Sequence, residues 1–276
     1  MSASQEKEKA FLSSYNIEDY NRPSVAADIV VLSVRSEKGD CYRKNPEHKL
    51  SILLIKRGEH PFLGEWALPG GFLRPNETIE ECAFREIREE TGFAPSSLLP
   101  VGIFSDPVRD PRGRVVSSAY ASVIGERQAE VVGGTDAAEA QWFNVSFKEK
   151  ENDIYELVLA RDKIKIKAYI KEIRERFGKT SFEIVENNGL AFDHAKIIAT
   201  ALALLKKEAE NIEVVFDFLP EKFTLTTLQK VQEALIGTSF ITANFRRIII
   251  NFVEETGEYT EGRGHRPAKL YTKKGN

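Results

Sequence analysis

The chain has 276 residues, enough for one or two domains, and 42% of them are hydrophobic and 29% charged. This ordinary composition excludes a mainly disordered or collagen-like protein. The formal net charge of −3 excludes a polycation that coats nucleic acid, although it leaves room for a local basic patch.

Cysteine usage and hydropathy indicate the compartment. Two cysteines, Cys41 and Cys82, are too few for a disulfide framework or a zinc cluster of cysteines, which fits a reducing environment. The polar N-terminal residues do not have the pattern of a secretory signal, and the longest apolar runs are far shorter than the ~20 residues that span a bilayer. We therefore expect a soluble cytoplasmic protein with no membrane partner.

The first half of the chain is predicted to consist mainly of strands. Residues 1–20 predict a loosely held lead-in or a short helix. Two β-branched runs, at 25–34 and 50–55, are separated by a polar stretch and predict a strand pair with a long connection. Further strands are predicted at 99–104, 115–124 and 140–145.

The second half changes in character along its length. Residues 153–177 carry a pattern rich in Lys and Glu that predicts a helix, and residues 192–208 predict a long helix of Ala and Leu. From residue 221 to the end there are nine Lys and Arg against six Glu, a net charge of +3, so the rest of the chain carries −6. Such an asymmetry is a modest hint of a nucleic-acid partner.

The most informative segment is GFLRPNETIEECAFREIREETGF, residues 71–93. It predicts a helix over residues 77–91. Asn76 is one candidate for its N-cap, and Thr78 with Glu81 offers an alternative capping box. Gly92 can adopt the left-handed conformation that ends a helix.

Two carboxylates of this helix are predicted to face the protein body. At ~100° per residue, Glu86 and Glu90 fall on the same arc as Ile87, and Glu89 lies on the flank. Neighbouring carboxylates in a partly buried place are costly unless a cation neutralises them. Together with backbone carbonyls they would make an all-oxygen site that suits Mg²⁺ or Mn²⁺ rather than zinc. On charges alone, a solvated acidic helix explains the pattern equally well.

The complete spacing favours the metal site. Gly71, five residues, Glu77, seven residues and then REIREETGF (residues 85–93) match the Nudix box at every defined position. The chain thus resembles Nudix hydrolases, an α/β/α sandwich family with a mixed sheet that splits nucleoside diphosphates linked to another group. The resemblance implies metal ligands and catalytic residues at Glu86, Glu89, Glu90 and the Gly71 carbonyl, with Arg85 orienting the carboxylates. The general base stays open, and Glu139 is one candidate.

Arginines next to this motif are candidates for substrate binding. The loop SDPVRDPRGR at residues 105–114 contains Arg109, Arg112 and Arg114, and Arg57 precedes the box. Guanidinium groups bind phosphate in two-point fashion, although Asp-Pro and Arg-Gly also suit a plain hairpin turn. The RDPRGR run also resembles Nudix members that recognise ADP-ribose.

The C-terminal residues predict a winged helix-turn-helix. A helix is predicted at 224–236, starting at Thr226 or Thr227, followed by a turn and a second helix at 242–252. Two short strands then flank a basic, glycine-rich tip. In such a fold the second helix enters the major groove and the wing reaches phosphates. A small packing or dimerisation domain is the alternative.

The order of motifs resembles the Nudix-related transcriptional regulators of NAD metabolism. The segments that carry this resemblance are LAFDH (190–194), FTLTTLQ (223–229), NFRR (244–247) and GHRPAKLY (264–271). It implies a homodimer that binds duplex operator DNA and senses ADP-ribose or another metabolite in its Nudix pocket. The implied DNA contacts are Asn244, Arg246, Arg247, Arg263, His265 and Arg266.

These expectations combine into one main hypothesis. Residues 1–215 form a Nudix domain with spacer helices, residues 216–276 form the winged domain, and the protein is a metabolite-responsive regulator that still hydrolyses its ligand with Mg²⁺ or Mn²⁺. One alternative is a metabolic pyrophosphatase whose C-terminal domain only dimerises. Another is a sensor that binds without hydrolysis, against which the intact glutamates count.

Overall fold

The computed structural model describes residues 3–37, 47–92, 95, 97–125, 140–176, 180–260 and 267–275. The helices are α1 (Ala3–Ser14), α2 (Ile79–Thr91), α3 (His194–Glu208), α4 (Ile212–Phe216), α5 (Leu225–Ile236) and α6 (Thr242–Ile249). The strands are β1 (Ser24–Glu37), β2 (Glu47–Lys56), β3 (Trp66–Ala67), β4 (Gly70–Phe72), β5 (Leu99–Phe104), β6 (Val115–Val123), β7 (Ala140–Glu149), β8 (Ile154–Arg161), β9 (Ile164–Arg174), β10 (Thr180–Asn188), β11 (Val253–Tyr259) and β12 (Lys269–Lys273). Within these ranges, no helix combines the length and the apolar character needed to cross a membrane.

One mixed sheet forms the body of the molecule. Its strand order is β10-β9-β8-β7-β2-β1-β6-β5, with β3 beside β2 and β4 beside β1. The predicted β1–β2 pair is antiparallel, and β1 also runs parallel to β6. A parallel pair in the middle of a sheet is normally covered on both faces, which explains why β1 is almost continuously apolar.

Two separate hydrophobic clusters lie on the two faces of this sheet. Ile29 and Val31 of β1 pack in the cluster that contains Ile87 of α2. Val30 and Leu32, which point the opposite way, pack in the cluster that contains α3 and the C-terminal helices. The predicted α/β/α sandwich with a mixed sheet is therefore confirmed.

The helix predicted at residues 153–177 is wrong. This segment forms the antiparallel hairpin β8–β9, which turns at Asp162 with φ 49°. Ile166, Ala168 and Ile170 are buried at alternate positions, and Lys167 and Tyr169 lie between them. That spacing of two is the period of a strand, and the abundance of Lys and Glu on the solvent side concealed it.

The box helix begins later than predicted and uses the second of the two candidate caps. Thr78 accepts a hydrogen bond from the Glu81 N–H, and the Glu81 carboxylate accepts one from the Thr78 N–H, which completes a capping box. Gly92 ends the helix with φ 71°, as predicted.

The C-terminal elements form a winged helix. The first helix, α5, is capped by Thr224, not begun by Thr226 or Thr227, and it ends at Gly237 with φ 76°. The second helix, α6, ends at Ile249, three residues earlier than predicted. β11 and β12 form the antiparallel wing, whose tip at 261–266 lies outside the described residues.

Candidate functional site

A pocket opens where β1, β4, α2, the β5–β6 loop and the start of α3 meet. Its cavity volume is about 90 Å³, and it continues into an open mouth. Its walls combine carboxylates, arginines and aromatic rings, which suits an anionic ligand that also has a flat apolar part. The lining includes Asp28, Arg57, Gly70, Gly71, Phe72, Glu90, Arg109, Arg112, Phe192 and His194.

Of the glutamates in the box, Glu90 is the one that lines this pocket. Its carboxylate accepts a hydrogen bond from the Gly70 N–H at 2.9 Å. Burial raises the pKa of Glu90 to about 8, and the negative charges of Glu86 and Asp28 add to that rise, while the Gly70 hydrogen bond opposes it. The positive charge of Arg57 also opposes the rise but does not outweigh it.

Arg85 holds the other carboxylates of the box. Its guanidinium donates to Glu77 at 2.6 and 2.9 Å, to Glu86, and to Glu89 at 3.3 Å. The hydrogen bonds from Arg85 lower the pKa of Glu77 to about 2. Glu89 lies half-exposed beside Arg74. The structure therefore gives Arg85 an orienting position next to Glu86.

The carboxylates of the box are the kind of ligand that a divalent cation prefers, although they are not arranged around one common point. Among the described residues, no three His, Cys, Asp or Glu side chains form a ready metal cluster. Glu86 and Glu89 are held by arginine, whereas Glu90 accepts the Gly70 N–H and its pKa is raised. A hard divalent ion next to Glu86 and Glu90 would supply the missing positive charge. Glu139, the candidate general base, lies outside the described residues.

Gly71 is packed directly against Glu86. A Cβ atom at Gly71 would overlap the Glu86 carboxyl group, which is the end of a flexible side chain. A Cβ atom at Gly70 would instead overlap the backbone carbonyl of Ala27. We therefore expect Gly71→Ala to fold while displacing Glu86, and Gly70→Ala to lose stability.

The measurement is thermal unfolding together with hydrolysis of a nucleoside diphosphate substrate. Gly71→Ala should keep a melting temperature close to wild type and lose at least about tenfold in kcat/KM, as expected when a metal ligand is misplaced. Wild-type activity in Gly71→Ala would contradict this account of the glycine.

The raised pKa of Glu90 predicts a dependence of stability on pH when no metal is bound. Because the folded-state pKa of about 8 lies above the unfolded value of 4.5, the folded protein holds a proton that the unfolded chain releases. The free energy of unfolding should therefore fall as the pH rises from about 4.5 to about 8. Glu90→Gln removes this loss, so with EDTA present the variant should be more stable than wild type at pH 8 by a few kcal/mol.

Urea denaturation at pH 5.5 and pH 8 measures this effect. The stability advantage of Glu90→Gln over wild type should be smaller at pH 5.5 than at pH 8. Added Mg²⁺ should raise the free energy of unfolding of wild type but not that of the variant. Glu80→Gln, on the exposed side of the same helix, is the matched control and should give no gain. A Glu90→Gln variant less stable than wild type at pH 8 in EDTA would refute the argument.

Three of the four predicted substrate arginines line the pocket. Arg57 lies 4.8 Å from the centre of the Phe192 ring, and Arg112 lies between Phe192 and Phe72, at 5.5 and 5.1 Å. Arg109 also lines the pocket. Arg114 is not part of the lining and donates instead to the Ser105 carbonyl at 2.6 Å.

A buried polar network beneath the pocket was not foreseen. Asp28 accepts hydrogen bonds from Ser117 at 2.5 Å and from Arg109 at 3.0 Å, and the imidazole of His194 lies 3.5 Å away. Burial by itself would raise the pKa of Asp28, but interactions with His194, Arg109 and Ser117 outweigh it and hold that pKa well below its usual range. One sequence signal was available, since Asp28 is the one acidic residue in the apolar run at 25–34.

The Arg109 guanidinium is shared between two carboxylates. It donates to Asp193 at 3.0 and 2.7 Å as well as to Asp28. His194 accepts the Leu68 N–H at its Nδ1 atom, 2.9 Å away, which connects α3 to the loop before β4. The segment LAFDH, which carried part of the resemblance, thus has defined contacts in the pocket.

Part of the predicted DNA surface lies within the described residues. Phe245 and Ile249 of α6 are buried, and Asn244, Arg246 and Arg247 of the same helix are exposed. Arg263, His265 and Arg266 at the wing tip lie outside the described residues. The exposed positions face outward from the helix that follows the turn, where a helix-turn-helix protein presents its reading residues.

Comparisons with known proteins agree with this two-part arrangement. The NUDIX domain family profile matches residues 39–158, and the profile of the NrtR DNA-binding winged helix domain matches residues 215–272. The chain is 29% identical over 270 residues to the ADPR responsive transcriptional repressor NtrR of Acinetobacter baylyi, an alignment that covers 96% of this chain and 87% of the relative. It is 39% identical over 153 residues to the ADP-ribose pyrophosphatase of Methanocaldococcus jannaschii, covering 55% of this chain and 76% of that protein.

Solved structures extend the likeness to the whole chain. A MutT/nudix family protein from Enterococcus faecalis superposes with a TM-score of 0.70 at 29% identity, covering 99% of this chain and 100% of the other. Shewanella oneidensis NrtR complexed with a 27mer DNA superposes with a TM-score of 0.62 at 25% identity, covering 91% and 93%. The similarity therefore includes both the pocket-bearing body and the C-terminal unit.

Proposed function

This chain belongs to the Nudix family and carries a winged helix domain of the NrtR type, and on that premise we propose that it is an ADP-ribose-responsive, DNA-binding transcriptional regulator that also hydrolyses ADP-ribose. The observation that carries the proposal is the pocket in which the box glutamate Glu90 faces Arg57 and Arg112. A pyrophosphate needs both kinds of group, since arginine binds its oxygens and carboxylates hold the counter-cation.

The proposed cofactor is a divalent metal ion, Mg²⁺ or Mn²⁺, held by Glu86 and Glu90 with Glu89 and the Gly71 carbonyl as further ligands. Such an ion would polarise the phosphoryl oxygens and acidify a bound water. Arg85 keeps Glu86 in position, and the Gly70 N–H orients Glu90. Arg57 and Arg112, stacked on Phe192, are positioned to bind the phosphates, with Arg109 as a further substrate residue of the proposal.

The proposed DNA-binding surface consists of α6 and the wing. Exposed Arg246 and Arg247 would contact phosphates or bases, Asn244 would read a base edge, and Arg263, His265 and Arg266 would belong to the wing contacts. We further propose a homodimer that binds a two-fold operator, a domain boundary near residue 215, and a cytoplasmic location.

The proposal is tested by two assays on the full chain. ADP-ribose with Mg²⁺ should release AMP, and duplex DNA from upstream of the gene should bind with an affinity that falls as salt rises. Hydrolysis without any DNA binding would favour the metabolic pyrophosphatase. DNA binding with ligand binding but no hydrolysis would favour the sensor.

A further inference from the structure

One helix, α3, reaches from the pocket to the winged domain. α3 starts at His194, which lines the pocket, and its C-cap residue Ala209 accepts a buried hydrogen bond from the Gln232 side chain of α5 at 3.1 Å. Its fifteen residues span about 22 Å. Ile197, Ile198, Leu202 and Leu205 are buried along it, so it moves as a packed unit.

The pocket end of this helix is anchored by the shared guanidinium of Arg109. Asp193 occupies the N-cap position of α3, and its carboxylate is engaged by Arg109 through two hydrogen bonds. The third hydrogen bond of Arg109 goes to Asp28 of β1. Only 5% of the Arg109 side chain is exposed, so the group is enclosed between the sheet and the helix. An anion that draws this guanidinium toward itself weakens the attachment of α3.

The residue before this anchor has a strained backbone. Phe192 has φ 52°, a left-handed conformation that is costly for a bulky side chain. Its ring is held by Phe62, at 4.8 Å between ring centroids, and by the guanidinium groups of Arg57 and Arg112. Phosphates that engage these arginines therefore act on groups that keep the joint between β10 and α3 in place.

We infer that occupancy of the Nudix pocket is transmitted to the winged helix by α3, with the Arg109–Asp193 ion pair and Phe192 as the connection. This inference rests on the proposed function and adds the structural route by which ligand binding affects DNA binding. Ligand phosphates take over contacts that Arg109 makes with Asp193 and that Arg57 and Arg112 make with Phe192. α3 then shifts as a unit, and its far end moves α5 through the Ala209–Gln232 hydrogen bond. Asp193 is in this sense a positioning residue for the winged domain.

The test is a thermodynamic coupling measurement on the full-length protein. The Kd for operator DNA is measured with and without saturating ADP-ribose, and the ratio of the two values is the coupling factor, which for linked sites is about 5–150. Asp193→Asn should still bind each ligand alone, with a coupling factor close to one. Gln232→Met removes the hydrogen bond that α5 donates to Ala209 at the far end of α3 and leaves the pocket intact. It should reduce the coupling factor in the same way.

Asp162→Asn is the matched control, because Asp162 also pairs with an arginine, Arg161 at 3.5 Å, but lies in the exposed β8–β9 turn and lines neither the pocket nor α3. It should keep the wild-type coupling factor. Coupling that persists in folded Asp193→Asn and Gln232→Met overturns the route. Wild type that binds both ligands without mutual effect also overturns it and leaves the binding functions intact, whereas wild type that binds neither overturns the proposed function itself.

Discussion

Glu90→Gln should lower the rate of Mg²⁺-dependent ADP-ribose hydrolysis by at least about a hundredfold. Mutating residues that only support a metal ligand already lowers activity by about tenfold to a hundredfold, and losing a ligand should lower it at least as much. Glutamine has nearly the shape of glutamate, and its side-chain oxygen can still accept the Gly70 N–H that Glu90 accepts at 2.9 Å. The change therefore removes the negative charge and little else. Release of AMP at saturating substrate, with kcat and KM determined separately, measures the effect.

Two controls separate loss of the metal site from general damage. Glu80→Gln carries the same chemical change on the exposed side of α2 and should keep wild-type kcat. ADP-ribose binding measured by calorimetry without metal should survive in Glu90→Gln, because the arginines that face the phosphates are untouched. A variant that retains a tenth or more of the wild-type kcat would contradict the assignment of Glu90 as a metal ligand.

The box helix was predictable because several local signals agree on it. The Thr78–Glu81 capping box, the apolar arc at Ile87 and the terminating Gly92 are each written in the sequence, and the structure uses all three. The segment at residues 153–177 had no such agreement. Its alternating Ile166, Ala168 and Ile170 indicate a strand, while the density of Lys and Glu suggests a solvated helix. Pairing with β8 decides the outcome, and that contact is not visible locally.

The pocket residues likewise fall into a group that the sequence could predict and a group that it could not. Glu86, Glu90 and Arg85 come from one continuous motif, so their proximity follows from the helical repeat. Asp28, Asp193 and Arg109 are up to 165 positions apart in the chain and meet only because β1, α3 and the β5–β6 loop converge. Spacing could nominate Arg109 as a phosphate ligand, but it could not reveal that buried Asp28 and partly buried Asp193 already hold its guanidinium.

Replacing both Arg246 and Arg247 by Ala should raise the Kd for operator DNA by about tenfold to a thousandfold at physiological salt. Both side chains are exposed on α6, the helix that follows the turn, whereas Phe245 and Ile249 fix the helix in the core. Each arginine that contacts a phosphate releases about one counterion, so the slope of log K against log salt should become shallower by about 2. Asn244→Ala should instead relax the sequence preference at one base pair, since Asn reads adenine through two hydrogen bonds.

Fluorescence anisotropy at several salt concentrations measures both quantities, and the comparison needs a variant that loses the same charge elsewhere. Lys165→Ala with Lys171→Ala removes two exposed positive charges from β9, in the sheet and not in the winged domain. If only the net charge of the protein mattered, the two double variants would lose affinity equally. Because the phosphate contacts are local and screened over about 10 Å at 0.1 M salt, only the α6 variant should lose affinity and salt slope together. Equal losses in both variants would mean that α6 does not bind the DNA.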